Sequence, residues 1–158
     1  MTVHDLFQII EASWIGDQLR DSYWKFPAVE AVHLLGLAVI GGAGLLVDLR
    51  MLGFGLTRTP VSQLAKDVRP YLNTSLVVML LTGYALFASE ATKCYDHDAF
   101  WFKMGSLALA ILFTYTVRAG VTRKPDGHVS AGSLKLTAIV SLLLWTGVGI
   151  GGRWIGFS

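Results

Sequence analysis

Glu30 and His33 stand three residues apart in an otherwise apolar stretch, so on a helix they project from nearly the same face, one turn apart. A carboxylate that hydrogen-bonds an imidazole fixes its tautomer and raises its basicity, which is the arrangement behind many metal-bound histidines. Further along the chain Glu90, His97, Asp98, Lys103, Met104 and Arg153 recur at the ends of other apolar runs. If those runs cross a membrane, these residues share one depth with Glu30 and His33. Hydrocarbon penalises ionisable groups, and those found at membrane depth are functional candidates by default. The chemistry open to them is ligation of haem b by His33 with Met104, with His97 or with His33 of a second copy, since haem between helices takes two axial ligands. Lys103 and Arg153 would then neutralise haem propionates or contact a quinone headgroup, and a metal would be held by His33 and His97. The competing reading is structural: a buried Glu and His that satisfy each other, with Lys103 and Arg153 snorkelling to the headgroups and Met104 packing.

The elements that must position these residues are four apolar stretches of 17 to 19 residues, 31–47, 71–89, 99–117 and 136–152. About 20 such residues cross the hydrocarbon of a bilayer. With their flanks they predict an all-α integral membrane four-helix bundle with spans at about 27–53, 70–91, 99–119 and 133–155. Pro27 and Pro70 fit the starts of the first two spans, and Pro60 and Pro125 fit connecting loops. The N-terminal segment sets Leu6, Phe7, Ile9, Ile10, Trp14 and Leu19 among acids and amides, which predicts an interfacial amphipathic helix at about 4–20. Residues 1–158 read as a single membrane domain, with no polar linker or internal repeat.

Composition agrees with that class. The chain is 53% hydrophobic and only 15% charged, against roughly 25% charged in soluble domains. Its net charge of +2 is spread over loops rather than along a stripe, which excludes a nucleic-acid partner. The lone Cys94 allows no internal disulfide. Met1 to Glu11 mixes His4, Asp5 and Glu11 with apolar residues, unlike a cleavable signal.

Orientation follows from the basic residues. Arg50, Arg58, Lys66, Arg69, Arg118, Arg123, Lys124 and Lys135 fall beside the loops after the first and third spans, and they are eight of the 13 Lys and Arg residues. That bias puts these loops in the cytoplasm and both termini outside. Tyr23, Trp24, Phe26, Tyr95, Phe100, Trp101, Phe102, Trp154 and Phe157 form an aromatic belt at the outer boundary. Gly147 and Gly151, four apart, line one face of the last span and permit close helix approach. Asp48 and Arg50 close the first span and read as structural, paired with each other, with neighbouring helices or with headgroups.

The run Pro27, Glu30, Ala31, Val32, His33, Leu34, Leu35, Gly36, continuing to Val47, Asp48, Leu49, Arg50, Leu52 and Gly53, resembles the first-helix signature of an uncharacterised family of small bacterial four-helix inner-membrane proteins. Pro70, Gly83, Phe100 to Lys103 and the closing Gly152, Arg153, Trp154, Ile155 extend the resemblance over nearly the whole chain. It implies a multi-pass protein of a bacterial inner membrane. More loosely, the architecture is similar to membrane-bound b-type cytochromes and to the copper-resistance membrane domain. Three functions stay open at this point. The first is a redox or electron-transfer module binding haem b, a metal or a quinone at the Glu30 and His33 level. The others are a scaffold subunit of a membrane complex and a copper or small-solute transport protein. Each works in the lipid bilayer, as a homo-oligomer or as one subunit of a complex.

Overall fold

The computed structural model describes residues 2–125 and 127–155. Two short helices, α1 (Val3–Glu11) and α2 (Trp14–Arg20), precede the first long one, α3 (Lys25–Leu52). The chain returns through α4 (Val61–Ser89), turns through α5 (Ala91–Tyr95), and runs out again along α6 (Asp98–Phe113). A π-helical turn at Thr114–Arg118 joins α6 to α7 (Ala119–Thr122), and α8 (Ala131–Ile155) comes back. Among the described residues four segments are long and apolar enough to cross a membrane: α3, α4, Asp98–Thr122 and α8. The chain is therefore an all-α four-helix membrane bundle. One end carries the α3–α4 and α7–α8 connections and is called the loop end here; the other, the terminal end, carries the α1–α2 arm and α5.

Periodicity explains the pairing of α3 with α4. Ile40, Ala43, Val47 and Met51 recur every three or four residues along α3 and meet Val61, Leu64, Val68, Leu72 and Leu76, which do the same along α4. Ala138 of α8 closes this core. Most other large apolar side chains, among them Leu35, Leu81, Leu112 and Leu143, are exposed, as a lipid-facing surface requires. The first two spans begin before the expected residues. Pro60 precedes α4, and Pro70 lies inside it rather than at its start. The nine residues before Pro70 include Lys66, Asp67 and Arg69, so the added turns are polar ones at the loop end. Gly53, with φ of +95°, ends α3 in the left-handed conformation that glycine adopts without a Cβ penalty.

Glycine sets the pairing of α6 with α8. A Cβ at Gly151 would stand 3.0 Å from the Lys103 Cβ and 3.1 Å from its Cα, so the two backbones approach as the Gly147 and Gly151 face anticipates. Gly147 likewise faces Ser106 and Phe102.

The arm expected as one helix over about 4–20 is two. Thr2 and Asp5 form a reciprocal cap at the start of α1, and Ser13 starts a new helix by accepting from the Gly16 amide. The arm lies on the bundle: Phe7 meets Phe87, Tyr95 and Phe100 edge-on at 5.1 to 6.1 Å between ring centroids. Phe157 of the expected aromatic belt lies outside the described residues.

Candidate functional site

At the terminal end the expected partners separate. Glu30 is exposed, and among the described residues no hydrogen bond or ion pair joins it to His33. His33 turns instead toward α4, where its Nδ1 lies 2.8 Å from Thr82 Oγ1. Thr82 donates its single hydroxyl proton to the Val78 carbonyl oxygen at 2.7 Å, so it can only accept from the imidazole. That arrangement favours the Nδ1-protonated tautomer of His33, with a lone pair on Nε2. The orienting role expected of Glu30 falls to Thr82, because a residue three places back on the same helix leans along its own surface, whereas Thr82 comes from the facing helix. Gly83 makes room for the ring: a Cβ there would meet His33 Cε1 at 3.2 Å.

Lys103 reaches the same level from α6. Its side chain is half-buried and lies along the glycine face of α8, with Nζ 3.7 Å from where a Gly152 Cβ would be. Among the described residues no hydrogen-bonding or ion-pair partner holds Lys103 Nζ. Met104, one position on, is 42% exposed and faces outward. His97 precedes α6 in the α5–α6 connection, and Arg153 is exposed near the end of α8. Of the six residues singled out from the sequence, His33 packs against α4 at Thr82 and Gly83 and Lys103 against α8 at Gly151 and Gly152, while Glu30 and Met104 are exposed. Among the described residues no three His, Cys, Asp or Glu side chains gather as a metal site needs. His33 could ligate haem b through Nε2, for which a second axial ligand is needed.

The arm is latched beside this region. The Glu11 carboxylate accepts from the Thr92 hydroxyl and from the Thr92 amide, the latter at 2.6 Å. These bonds hold its pKa below the ordinary glutamate value. Arg20 ties the arm's second helix to the end of α4 through the Ser89 carbonyl at 3.2 Å. Under the arm, burial with the Glu90 carboxylate nearby pushes the Cys94 thiol up, away from reactivity.

The loop end holds a second polar cluster, which the sequence reading did not assemble. Asp48, 1% exposed, accepts from Arg118 Nε at 2.9 Å and from the Ser141 hydroxyl at 2.8 Å. Arg118 Nη2 also donates to the Gly44 carbonyl at 2.9 Å. One carboxylate thus ties α3, the π-helical turn and α8. The π turn is what brings Arg118 inward. Ala110, Thr114, Arg118 and Thr122 are all buried, yet in an α-helix a strict four-residue spacing drifts by about 40° per step. The wider π turn takes back that drift and keeps all four on one face. Its first residue is fixed by Trp145, whose indole donates to Thr114 Oγ1 at 3.2 Å. The sequence signal available was the placement of Asp48 and Arg118, opposite charges each at the loop end of an apolar run.

Beside this network a cavity of about 490 Å³ opens between α4 and the π turn with α7. Arg118 and Thr122 line its inner wall, and Lys66, Arg69 and Arg123 stand around its mouth. Tyr115 donates to Asn73 Oδ1 at 2.7 Å and bridges the two helices at its edge.

Taken together, the fold and its two polar clusters define a multi-pass α-helical membrane protein with an inward-turned imidazole at one end and a buried ion-pair network at the other. The chain belongs to the family described as "Family of unknown function (DUF6644)", whose model matches residues 6–158. No curated protein and no solved structure matches it.

Proposed function

We propose that the chain is a membrane redox subunit that binds the headgroup of a lipid-soluble quinone at the terminal end of its bundle, through His33 and Lys103. The observation that carries this reading is an imidazole oriented by Thr82 at the same end of the bundle as a half-buried ammonium that no described residue pairs. A quinone presents carbonyl oxygens that accept from Lys103, and its reduced form presents hydroxyls that donate to His33 Nε2. One donor and one acceptor therefore serve both oxidation states, and a lipid-soluble ligand reaches the site without an aqueous path. Electrons must come from a partner, so the chain works as a homo-oligomer or as one subunit of a membrane complex. Haem b is the narrower alternative, and it needs a second axial ligand.

The reading takes the membrane to be a bacterial inner membrane and the terminal end to be its outer side, on the bias of basic residues toward the loop end. A scaffold role is the second reading, favoured by the Asp48, Arg118 and Ser141 network, whose hydrogen bonds hold the bundle itself.

The test is titration of the nanodisc-embedded protein with decylubiquinone and a menaquinone analogue, followed by tryptophan quenching. Saturable binding is expected, weakened about tenfold or more in Lys103→Met and in His33→Ala, which corresponds to about 1.4 kcal/mol or more. Absence of saturable binding, or binding by both variants equal to that of the parent, overturns the proposal. An absorbance spectrum of the purified protein reads haem b directly.

A further inference from the structure

The loop-end cavity lies at the opposite end of the bundle from His33 and is independent of the reading above. Its lining brings cations from two facing elements to one space: Lys66 and Arg69 from α4, Arg123 from just beyond α7, and Arg118 from the π turn. Among the described residues no carboxylate lines it; of the acids beside it in sequence, Asp67 takes a hydrogen bond from Gln63 at 2.8 Å, and Asp48 pairs with Arg118. Like charges that converge on one cavity repel, and low-dielectric walls concentrate their field. Asp48 already offsets Arg118, so the exposed Lys66, Arg69 and Arg123, with no ion-pair partner among the described residues, supply the positive field that draws an anion into the space between them.

Arg118 supplies the inner wall of the site. Asp48 and the Gly44 carbonyl take its Nε and Nη2. Among the described residues nothing takes Nη1, although no fully buried side-chain nitrogen or oxygen lacks a partner. Nη1 is therefore accessible, and Arg118 is among the residues lining the cavity. Because the guanidinium is planar and held from two sides, its remaining donors are fixed in direction, which suits an oxygen-rich anion. Asn73 and Tyr115 add neutral polar groups at the edge, while Val47, Val68 and Leu72 make the rest of the lining apolar.

We propose that this cavity binds a phosphate group, with Arg118 as the deep contact and Lys66, Arg69 and Arg123 as the outer ones. The volume, about 490 Å³, falls within the range of roughly 300 to 1,000 Å³ seen for small-ligand sites. It exceeds what one phosphate fills, so the ligand carries more than the anion. Two sources offer this chemistry: the phosphodiester headgroup of an anionic lipid, whose acyl chains would continue along the apolar lining, or a water-soluble phosphate. Basic pockets between spanning helices are suited to the first.

The test uses the full chain, delipidated in mild detergent, against a variant carrying Lys66→Gln, Arg69→Gln and Arg123→Gln together. All three residues are exposed and outside the Asp48 network, so helical circular dichroism should be unchanged. Native mass spectrometry reads binding of dioleoyl phosphatidylglycerol and of dioleoyl phosphatidylcholine, and calorimetry reads inorganic phosphate. At about a factor of five per lost surface cation, the variant should bind the phosphate ligand roughly a hundredfold more weakly. A loss confined to phosphatidylglycerol assigns the site to lipid; a loss of submillimolar phosphate binding without lipid preference assigns it to a soluble phosphate. If parent and variant bind all three probes alike, or the parent binds none above phosphatidylcholine, the proposal is wrong. An Arg118→Lys variant adds a second check, since it keeps charge for Asp48 but loses the fixed fork, and it should weaken phosphate binding at least tenfold while circular dichroism stays as in the parent.

Discussion

Replacing Asp48 by alanine should be among the most damaging single changes in the molecule. Its carboxylate is 2% exposed and Arg118 is 7% exposed by side chain, at an Nε to Oδ1 distance of 2.9 Å. Asp48→Ala leaves a guanidinium buried with one backbone carbonyl as its remaining partner and strands the Ser141 hydroxyl. Breaking a buried pair in this way costs about 3 to 5 kcal/mol. Ser141→Ala removes a single charge-assisted bond and should cost about 1.5 to 3 kcal/mol. Removing both charges together is different, because the desolvation penalty disappears with them. Asp48→Leu combined with Arg118→Met should fall within about 1 kcal/mol of the parent. The assay is reversible unfolding in mild detergent, followed by helical circular dichroism and extrapolated to zero denaturant. If Asp48→Ala costs less than about 1 kcal/mol, or if the double variant costs as much as the single one, the penalty is not that of an unpaired buried charge and the reasoning fails.

Other outcomes follow from the same geometry. Glu30→Gln should change stability by no more than about 0.5 kcal/mol in the same unfolding assay, since Glu30 is exposed and does not hold His33. Gly151→Leu should separate α6 from α8, because even a Cβ would meet Lys103 and Phe102 at 3.0 to 3.1 Å; a cost of about 1 to 3 kcal/mol is expected. The Glu11 latch should be pH-dependent. Thr92 holds the Glu11 pKa below its undocked value, so the contact stabilises the docked arm at neutral pH and is lost as pH falls through that lowered value. Hydrogen exchange across α1, corrected for intrinsic rates, should show protection at pH 6 that falls away below the ordinary glutamate range, and Glu11→Gln should flatten this profile. At pH 8 Cys94 should react slowly with an alkylating reagent in the parent and several-fold faster in Glu11→Ala, because the thiol is buried beside the docked arm.

The amino-acid sequence on its own determined the membrane architecture, for a plain reason: in hydrocarbon each backbone polar group must be satisfied within its own helix, so an apolar run of sufficient length has one structure open to it. Close packing was legible as well where it depends on a missing Cβ, as at Gly147 and Gly151, since four-residue spacing puts both on one face whatever lies opposite. What each ionisable side chain meets was decided by tertiary structure. Glu30 and His33 share a face, yet that says nothing of what the facing helix offers, and it offers Thr82 to the imidazole alone. Asp48 and Arg118 are 70 residues apart. Their meeting depends on the π turn, and nothing in the local spacing announces that added residue. Local pattern fixes a side chain's direction around its own helix axis, whereas charge pairing is settled by the rotation and depth at which separate helices pack.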